Sequence, residues 1–406
     1  MDPQTAPADR ALDRGALRRA TAVLCVTEIV SWGVLYYAFP VVLSELVADT
    51  SWPKGAVVAA FSVSQVVAGL TGVAVGRWID HRGPRVVMTA GSALGVVAAS
   101  AVAWAPSLPW FVAAWLLVGV SSAATLYAPA FAALTHWGGV RRVQALTAVT
   151  LVAGLASTVF APFAAGLLDV LGWRGTYGAL AAVLLVTVPL HWWGLNHPWP
   201  QVATRATASP RTAGLPPASR SSAFLALTAA ICLAAAAMYG AVINLVPMLL
   251  ERGLSTPSAA VVLGVGGVGQ VCGRLGYRRL ERATGVAGRT TLVLAAVAAT
   301  TLLLAVVPGP YALLALVSFL AGTARGVCTL IQATAVTDRW GVRQYGALNG
   351  LLSAPLMFAV ALSPWLGTAL AESLGGYPEA FGVLTALAVL ATLLAPLTIP
   401  RRPVLA

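Results

Sequence analysis

Three ionisable side chains sit deep inside long apolar runs of this sequence: Glu28, Arg274 and Arg325. A charge in such surroundings is costly, and one that is kept there usually binds something, moves a proton or steadies another charge. A guanidinium presents two parallel N–H donors at the geometry of a carboxylate, so Arg274 and Arg325 are candidates for holding an organic anion. Gln270 lies four residues before Arg274 and shares its helix face. Glu28 could exchange a proton as an arginine approaches or leaves, or it could be a fixed counter-ion. Trp32, Tyr36, Tyr37, Tyr127 and Asn244 have the mixed aromatic and polar character of a cavity lining. Each has a plainer reading: Arg274 snorkelling to an interface, Arg325 paired with Glu28 or a backbone carbonyl, the aromatics as packing.

Other chemistries lack their residues. No G-x-x-x-x-G-K-S/T phosphate loop occurs, which argues against a built-in ATPase. His81, His136, His191 and His197 fall at the ends of apolar runs without metal-ligand spacing. Cys25, Cys232, Cys272 and Cys328 lie inside apolar runs with no C-x-x-C pair, so they read as small apolar side chains. No catalytic residue, metal or cofactor is expected.

These groups have to be positioned by helices in lipid. The 406 residues are 59% hydrophobic and 9% charged, against roughly 25% charged in soluble domains. Twelve spans are predicted, at 20–46, 55–77, 84–105, 108–134, 143–168, 174–194, 222–250, 257–280, 289–307, 310–336, 344–371 and 379–399. The apolar run from Ala20 to Val47 has no early small-residue cleavage site, so it reads as a retained first span. The net charge of +12 invites comparison with nucleic-acid binders, but the arginines are dispersed between spans, so no nucleic acid is expected. Of the 25 basic residues, Lys54, Arg174 and Arg252 fall on one side, Arg274 and Arg325 inside spans, and the remaining twenty on the other side. By the positive-inside rule those twenty, and both termini, are cytoplasmic.

The predicted domains are a tail (1–19), a six-helix bundle (20–194), a linker rich in Pro, Thr, Ser and Arg (195–221), a second bundle (222–399) and a short tail (400–406). The bundles echo each other. Cys25, Gly33 and Pro40 recur as Cys232, Gly240 and Pro247, Gln65 as Gln270, and Gly172-Trp173 as Gly376-Tyr377. Thr135-His136-Trp137-Gly138 resembles the stretch that starts at Thr337-Asp338-Arg339-Trp340. Six spans separate equivalents, so the repeats run parallel.

The ten residues from Gly76 to Arg85 form a basic turn between the second and third spans. Gly83 permits a tight reversal, and Asp80 is placed to pair with a neighbouring guanidinium. The spacing of Gly76, Asp80, Gly83 and Arg85, with Arg82 one place along from a usual basic position, resembles the signature loop of the major facilitator superfamily. His81 and Pro84 replace customary basic residues. The resemblance implies an all-α membrane protein of twelve transmembrane helices in two parallel, pseudo-symmetric six-helix bundles that transport by alternating access. It implies that Gly76, Asp80, Arg82, Gly83 and Arg85 help latch the cytoplasmic side, and that spans 1, 4, 7 and 10 line a central cavity. Arg274 resembles the eighth-span arginine of monocarboxylate and oxalate/formate type porters, which meets a substrate carboxylate.

The expected function is secondary active transport of a small organic anion across the plasma membrane, by a monomer in the bilayer and not by an enzyme, with proton coupling if Glu28 is the carrier. The alternative is a proton-coupled exporter of drugs or other hydrophobic compounds. Such exporters carry a Gly/Pro-rich fifth span, of which Gly154, Pro162 and Gly166 survive, and a fourth-span arginine that is absent. A receptor or membrane-bound enzyme would need an appended domain or paired catalytic groups, and neither is visible.

Overall fold

The computed structural model describes residues 12–199, 217–341 and 345–400. The first eleven residues, most of the expected linker, Arg343 and the tail from Arg401 lie outside the described residues. Among the described residues every regular element is helical. In order they are α1 (Arg14–Trp32), a π turn (Gly33–Tyr37), α2 (Phe39–Thr50), α3 (Lys54–Arg82), α4 (Pro84–Ala103) and α5 (Leu108–Thr125). Next come α6 (Tyr127–Gly138), α7 (Arg142–Ala153), α8 (Ala156–Leu185), α9 (Thr187–Gly194), α10 (Ser222–Glu251), α11 (Thr256–Ala283) and α12 (Val286–Val306). The last are α13 (Tyr311–Thr334), α14 (Thr337–Trp340), α15 (Tyr345–Leu374) and α16 (Tyr377–Leu394).

Ten segments are long and apolar enough to cross a bilayer, one of them the 87 residues Leu108–Gly194. At 1.5 Å per residue that segment would reach about 130 Å, several bilayers, if it were straight. It is broken at Leu126, at Gly139 and at Gly172, whose φ is 65°. The breaks at Gly139 and Gly172 divide it into three crossings, the first of them interrupted at Leu126, and with the nine others the described residues make twelve. Exposed Leu70, Val73, Val97, Leu275, Leu292 and Leu316 show why the helices belong in lipid: their outer faces are as apolar as their inner ones.

Several boundaries differ from the sequence reading for local reasons. The first helix starts at Arg14, not residue 20, because Asp13 caps it: its Oδ1 accepts the Ala16 N–H at 2.8 Å. The fourth span is interrupted at Leu126 (φ −84°, ψ −169°). Pro129 lacks the N–H that would close the turn onto Thr125 and its ring crowds that carbonyl. The fifth span has a second break, at Gly154–Leu155, between α7 and α8. Both Trp104 and Trp173 fall near span ends, yet Trp173 is buried whereas Trp104 is 81% exposed.

Contacts gather the chain into two units, Met1–Thr50 with Val63–Arg205, and Ser51–Ser62 with Ala206–Ala406. The first turns of α3 therefore group with the second unit. There the Gly55 N–H reaches Glu372 Oε1 at 2.9 Å and Ser62 Oγ accepts the Trp365 N–H at 3.1 Å.

The sequence repeat has a structural counterpart at the outer ends of each unit. In the first, Glu45 Oε1 accepts the backbone N–H of Trp173 at 2.9 Å; in the second, Glu251 Oε2 accepts that of Tyr377 at 3.1 Å. Arg174 Nη1 donates to the carbonyls of Ala103 and Ala105 past the end of α4. Arg252 does the same for Leu304 and Ala305 at the end of α12. Two of the basic residues on the cation-poor side are thus fixed by open helix C-termini, whose carbonyls and dipole attract cations.

Candidate functional site

In the first unit the expected residues converge on α1 and α6. Glu28 is fully buried, and neither carboxyl oxygen meets a donor at hydrogen-bonding geometry among the described residues. One turn on, the Trp32 ring lies 5.4 Å from Tyr36, 6.5 Å from Tyr37 and 5.1 Å from Tyr127. Tyr36 and Tyr37 meet edge to face at 5.1 Å, and Tyr127 stacks on Phe131.

The backbone under these rings is irregular in two places the sequence reading missed. The Ala38 N–H bonds to the Gly33 carbonyl, five residues back, and opens the helix into a π turn. A Cβ at Gly33 would fall inside the Phe160 ring of α8, so only glycine fits there. Tyr127 is the first residue after the Leu126 break. Irregular backbone at membrane depth is tolerated only inside protein or beside a cavity. The available signals were Gly33 before Pro40, and Pro129 inside an apolar run.

In the second unit Arg325 is buried, 6% exposed, in α13. Its Nε donates to Gln270 Oε1 of α11 at 2.9 Å, while its Nη2 is buried without a hydrogen-bond partner among the described residues. Gln270 was expected to act with Arg274, and the structure instead joins it to Arg325. Arg274, one turn on, is half-buried. The two helices approach to backbone contact. Cβ atoms on Gly269 and Gly273 would strike the carbonyls of Phe319 and Thr323, and on Gly322 and Gly326 those of Gly266 and Gln270. Small residues let helices meet this closely, and here they bring Gln270 to Arg325.

Asn244 is brought to a different place. Its Nδ2 donates to Gly240 and Pro364 carbonyls and its Oδ1 accepts from Thr368, so its amide joins α10 to α15. That occupies it in helix packing.

The Gly76–Arg85 loop is held from one side by the chain after α9. Gly83 has φ 79°, and a Cβ there would crowd the Trp199 ring. Trp199 Nε1 donates to the Asp80 carbonyl at 3.3 Å, and Arg85 donates to the Trp192 carbonyl and Asn196 Oδ1, both at 2.8 Å. Arg82 lies over Trp78, 4.8 Å from its centroid. Gly76 has open space around its Cβ position. The expected pairing of Asp80 with a guanidinium is not found among the described residues: its side chain is exposed, and it is its carbonyl that is engaged, by Trp199. At the matching end of the second unit, Arg289 and Asp338 form an ion pair at 2.7 Å. Arg339, half-buried beside Thr290 and Thr398, has its pKa pushed down to about 10, by desolvation first and by the Arg289 charge, against the pull of Asp338.

Residues 24–310 and 287–406 match the Major Facilitator Superfamily. The chain belongs to that family. Among its relatives, the mouse protein named Monocarboxylate transporter 11 is 30% identical over 231 residues, 56% of this chain and 49% of that protein. Human Monocarboxylate transporter 11 is 30% identical over 60% of this chain and 52% of that protein. Rat Monocarboxylate transporter 13 is 25% identical over 80% and 76%. The chain thus spans about half the length of the first two relatives, with a monocarboxylate-transporter-type resemblance. Crystal structures of a bacterial homolog to the human lysosomal transporter Spinster have the same fold. The inward-facing, unoccupied form aligns with a TM-score of 0.73 at 12% identity, over 95% of this chain and 98% of that one. The inward-facing, occupied form gives 0.70 at 15% identity. At those identities the likeness is one of fold: twelve helices in the two six-helix bundles of the superfamily.

Proposed function

We propose that this superfamily member is a secondary active transporter of a small organic anion, a carboxylate, working by alternating access of its two bundles (20–194 and 222–399, joined by 195–221). The observation that carries the reading is Arg325: a buried, permanently charged guanidinium oriented by Gln270, with an Nη amino group left for a ligand oxygen. Leaving such a group unmatched is unfavourable, and a carboxylate supplies the missing acceptor and the opposite charge together. The names of the relatives support the same solute class. Arg274 is the proposed second cation of the second unit, and Trp32, Tyr36, Tyr37 and Tyr127 are the proposed substrate contacts of the first. Glu28 is the proposed proton site, as the buried carboxyl of the first unit. The charge asymmetry supports a plasma-membrane topology with both termini cytoplasmic, and the Gly76–Arg85 turn is the proposed latch on that side.

Uptake of radiolabelled lactate, and of a panel of organic acids, into proteoliposomes tests this. Arg325→Lys keeps the charge but loses the planar fork, and uptake is expected to fall at least about tenfold, the equivalent of 1.4 kcal/mol, in protein that melts normally. Unchanged uptake in Arg325→Lys and Arg274→Lys would remove anion recognition from both. Transport of cationic drugs and of no acid would favour the exporter reading.

A further inference from the structure

An electropositive hollow lies in the first unit. It has a volume of about 560 Å³ and is lined by Arg14, Arg18 and Arg141, with Gln144, Thr21 and Cys25 among its other walls. That size is within the usual range of small-molecule pockets, roughly 300–1,000 Å³. Among the described residues no carboxylate lines it.

Three features make its charge unusual. Arg14 and Arg18 lie in the opening turns of α1, and Arg141 immediately precedes α7, a helix that starts with Arg142. A helix N-terminus carries partial positive charge and disfavours cations, and neither helix has an acid in its first turn. Two N-termini and three guanidinium groups therefore face one space, an arrangement that local helix stability opposes. Asp13 is engaged as the cap of α1. The hollow also has depth: from Arg14 to Cys25 it follows α1 for about 16 Å. Glu28 is less than one turn beyond Cys25.

We infer that this hollow is a binding vestibule for a soluble oxyanion with more than one negative charge, a di- or tricarboxylate or a phosphate ester. It concentrates the anion at the arginine-rich end of the first unit, close to Glu28. The inference rests on the anion-transport reading for its purpose, but its binding chemistry is independent of Arg325. A lipid headgroup shares that chemistry. The lipid composition used in the experiment below separates the two sources.

Cys25 supplies the probe. In a full-length variant with Cys232→Ser, Cys272→Ser and Cys328→Ala, held in nanodiscs of phosphatidylcholine, the rate of Cys25 labelling is compared for a sulfonate-bearing and an ammonium-bearing methanethiosulfonate reagent. The anionic reagent is expected to react at least about tenfold faster, the low end of electrostatic focusing in a charged cleft. The preference should shrink with salt and collapse when Arg14, Arg18 and Arg141 are all changed to Gln. Millimolar citrate should protect Cys25, and acetate should protect it far less. Equal rates for the two reagents, or no protection by citrate, overturns the inference. Protection only in nanodiscs containing phosphatidylglycerol, without citrate, assigns the hollow to lipid and also overturns it. If Cys25 reacts with neither reagent, citrate titration calorimetry on the wild-type chain and the triple-Gln variant decides. Binding at least tenfold weaker in the variant supports the vestibule, and equal binding removes it. Arg325→Gln separates the two proposals, because it should abolish uptake and leave citrate protection of Cys25 intact.

Discussion

Arg325 and Glu28 pose the same physical problem with opposite sign, and the fold treats them differently. Arg325 is oriented by a neutral acceptor, Gln270, which fixes the guanidinium plane without neutralising it. Glu28 has no comparable donor at bonding geometry among the described residues. A charge fixed and left unneutralised is suited to a mobile counter-ion, and an unengaged carboxyl is suited to gaining and losing a proton. Two outcomes follow at this scale. Gln270→Leu removes the orienting acceptor, so uptake should survive with a KM raised several-fold, read from concentration dependence in proteoliposomes. Glu28→Gln should retain counterflow exchange of labelled for unlabelled anion but lose accumulation driven by an imposed pH gradient. Undiminished gradient-driven accumulation in that variant would exclude Glu28 as the carrier. That Arg325 and Glu28 matter was legible in the sequence, because an ionisable group in an apolar run has few innocuous explanations. Which neighbour Gln270 would choose was not. Its own helix offered Arg274 one turn away, and the contact that formed spans 55 residues.

The helices show where that choice was made. The glycines of α11 interleave with Gly322 and Gly326 of α13 at backbone contact, so adding one methyl group to this seam forces a shift in main chain, not in a flexible side chain. Gly322→Ala should therefore lower stability by about 1–3 kcal/mol, seen as a lower melting midpoint in detergent, and should reduce uptake with it. Gly288→Ala, with open space around its Cβ position, is the control and should do neither. At the arginine-rich end of the first unit, residues 195–199 fasten several elements together. Trp199 packs on Trp137 and His136, and the Trp137 indole donates to the Pro198 carbonyl. His197 lies in that clasp with its pKa lowered, by desolvation first and then by the Arg19 charge, with Asp13 opposing. A histidine depressed in the fold binds fewer protons there than when unfolded, so stability rises with pH between its folded pKa and about 6.5. The melting midpoint should accordingly fall on acidification from pH 7 to pH 5, and His197→Gln should flatten that fall. The clasp belonged to a stretch that reads as linker, because tryptophans near a span end look the same in sequence whether they meet lipid or protein.

For the whole molecule, the number of crossings and the internal repeat were properties of the sequence alone, and the proposed sidedness rests on the sequence too. Lipid cannot satisfy backbone polar groups, so any sufficiently long apolar run becomes a helix irrespective of its neighbours, and arginine placement then orients the set. The Cys/Gly/Pro spacing repeated by the two halves needed no coordinates either. Tertiary structure decided everything that depends on how each helix is rotated. Spans that are apolar on all faces carry little periodicity to say which face turns inward. Only packing could therefore open the π turn against Phe160, turn Asn244 into a helix joint, and give Gln270 to Arg325. Only packing could also bring Arg14 and Arg18 to one hollow with Arg141, more than a hundred residues away in the chain.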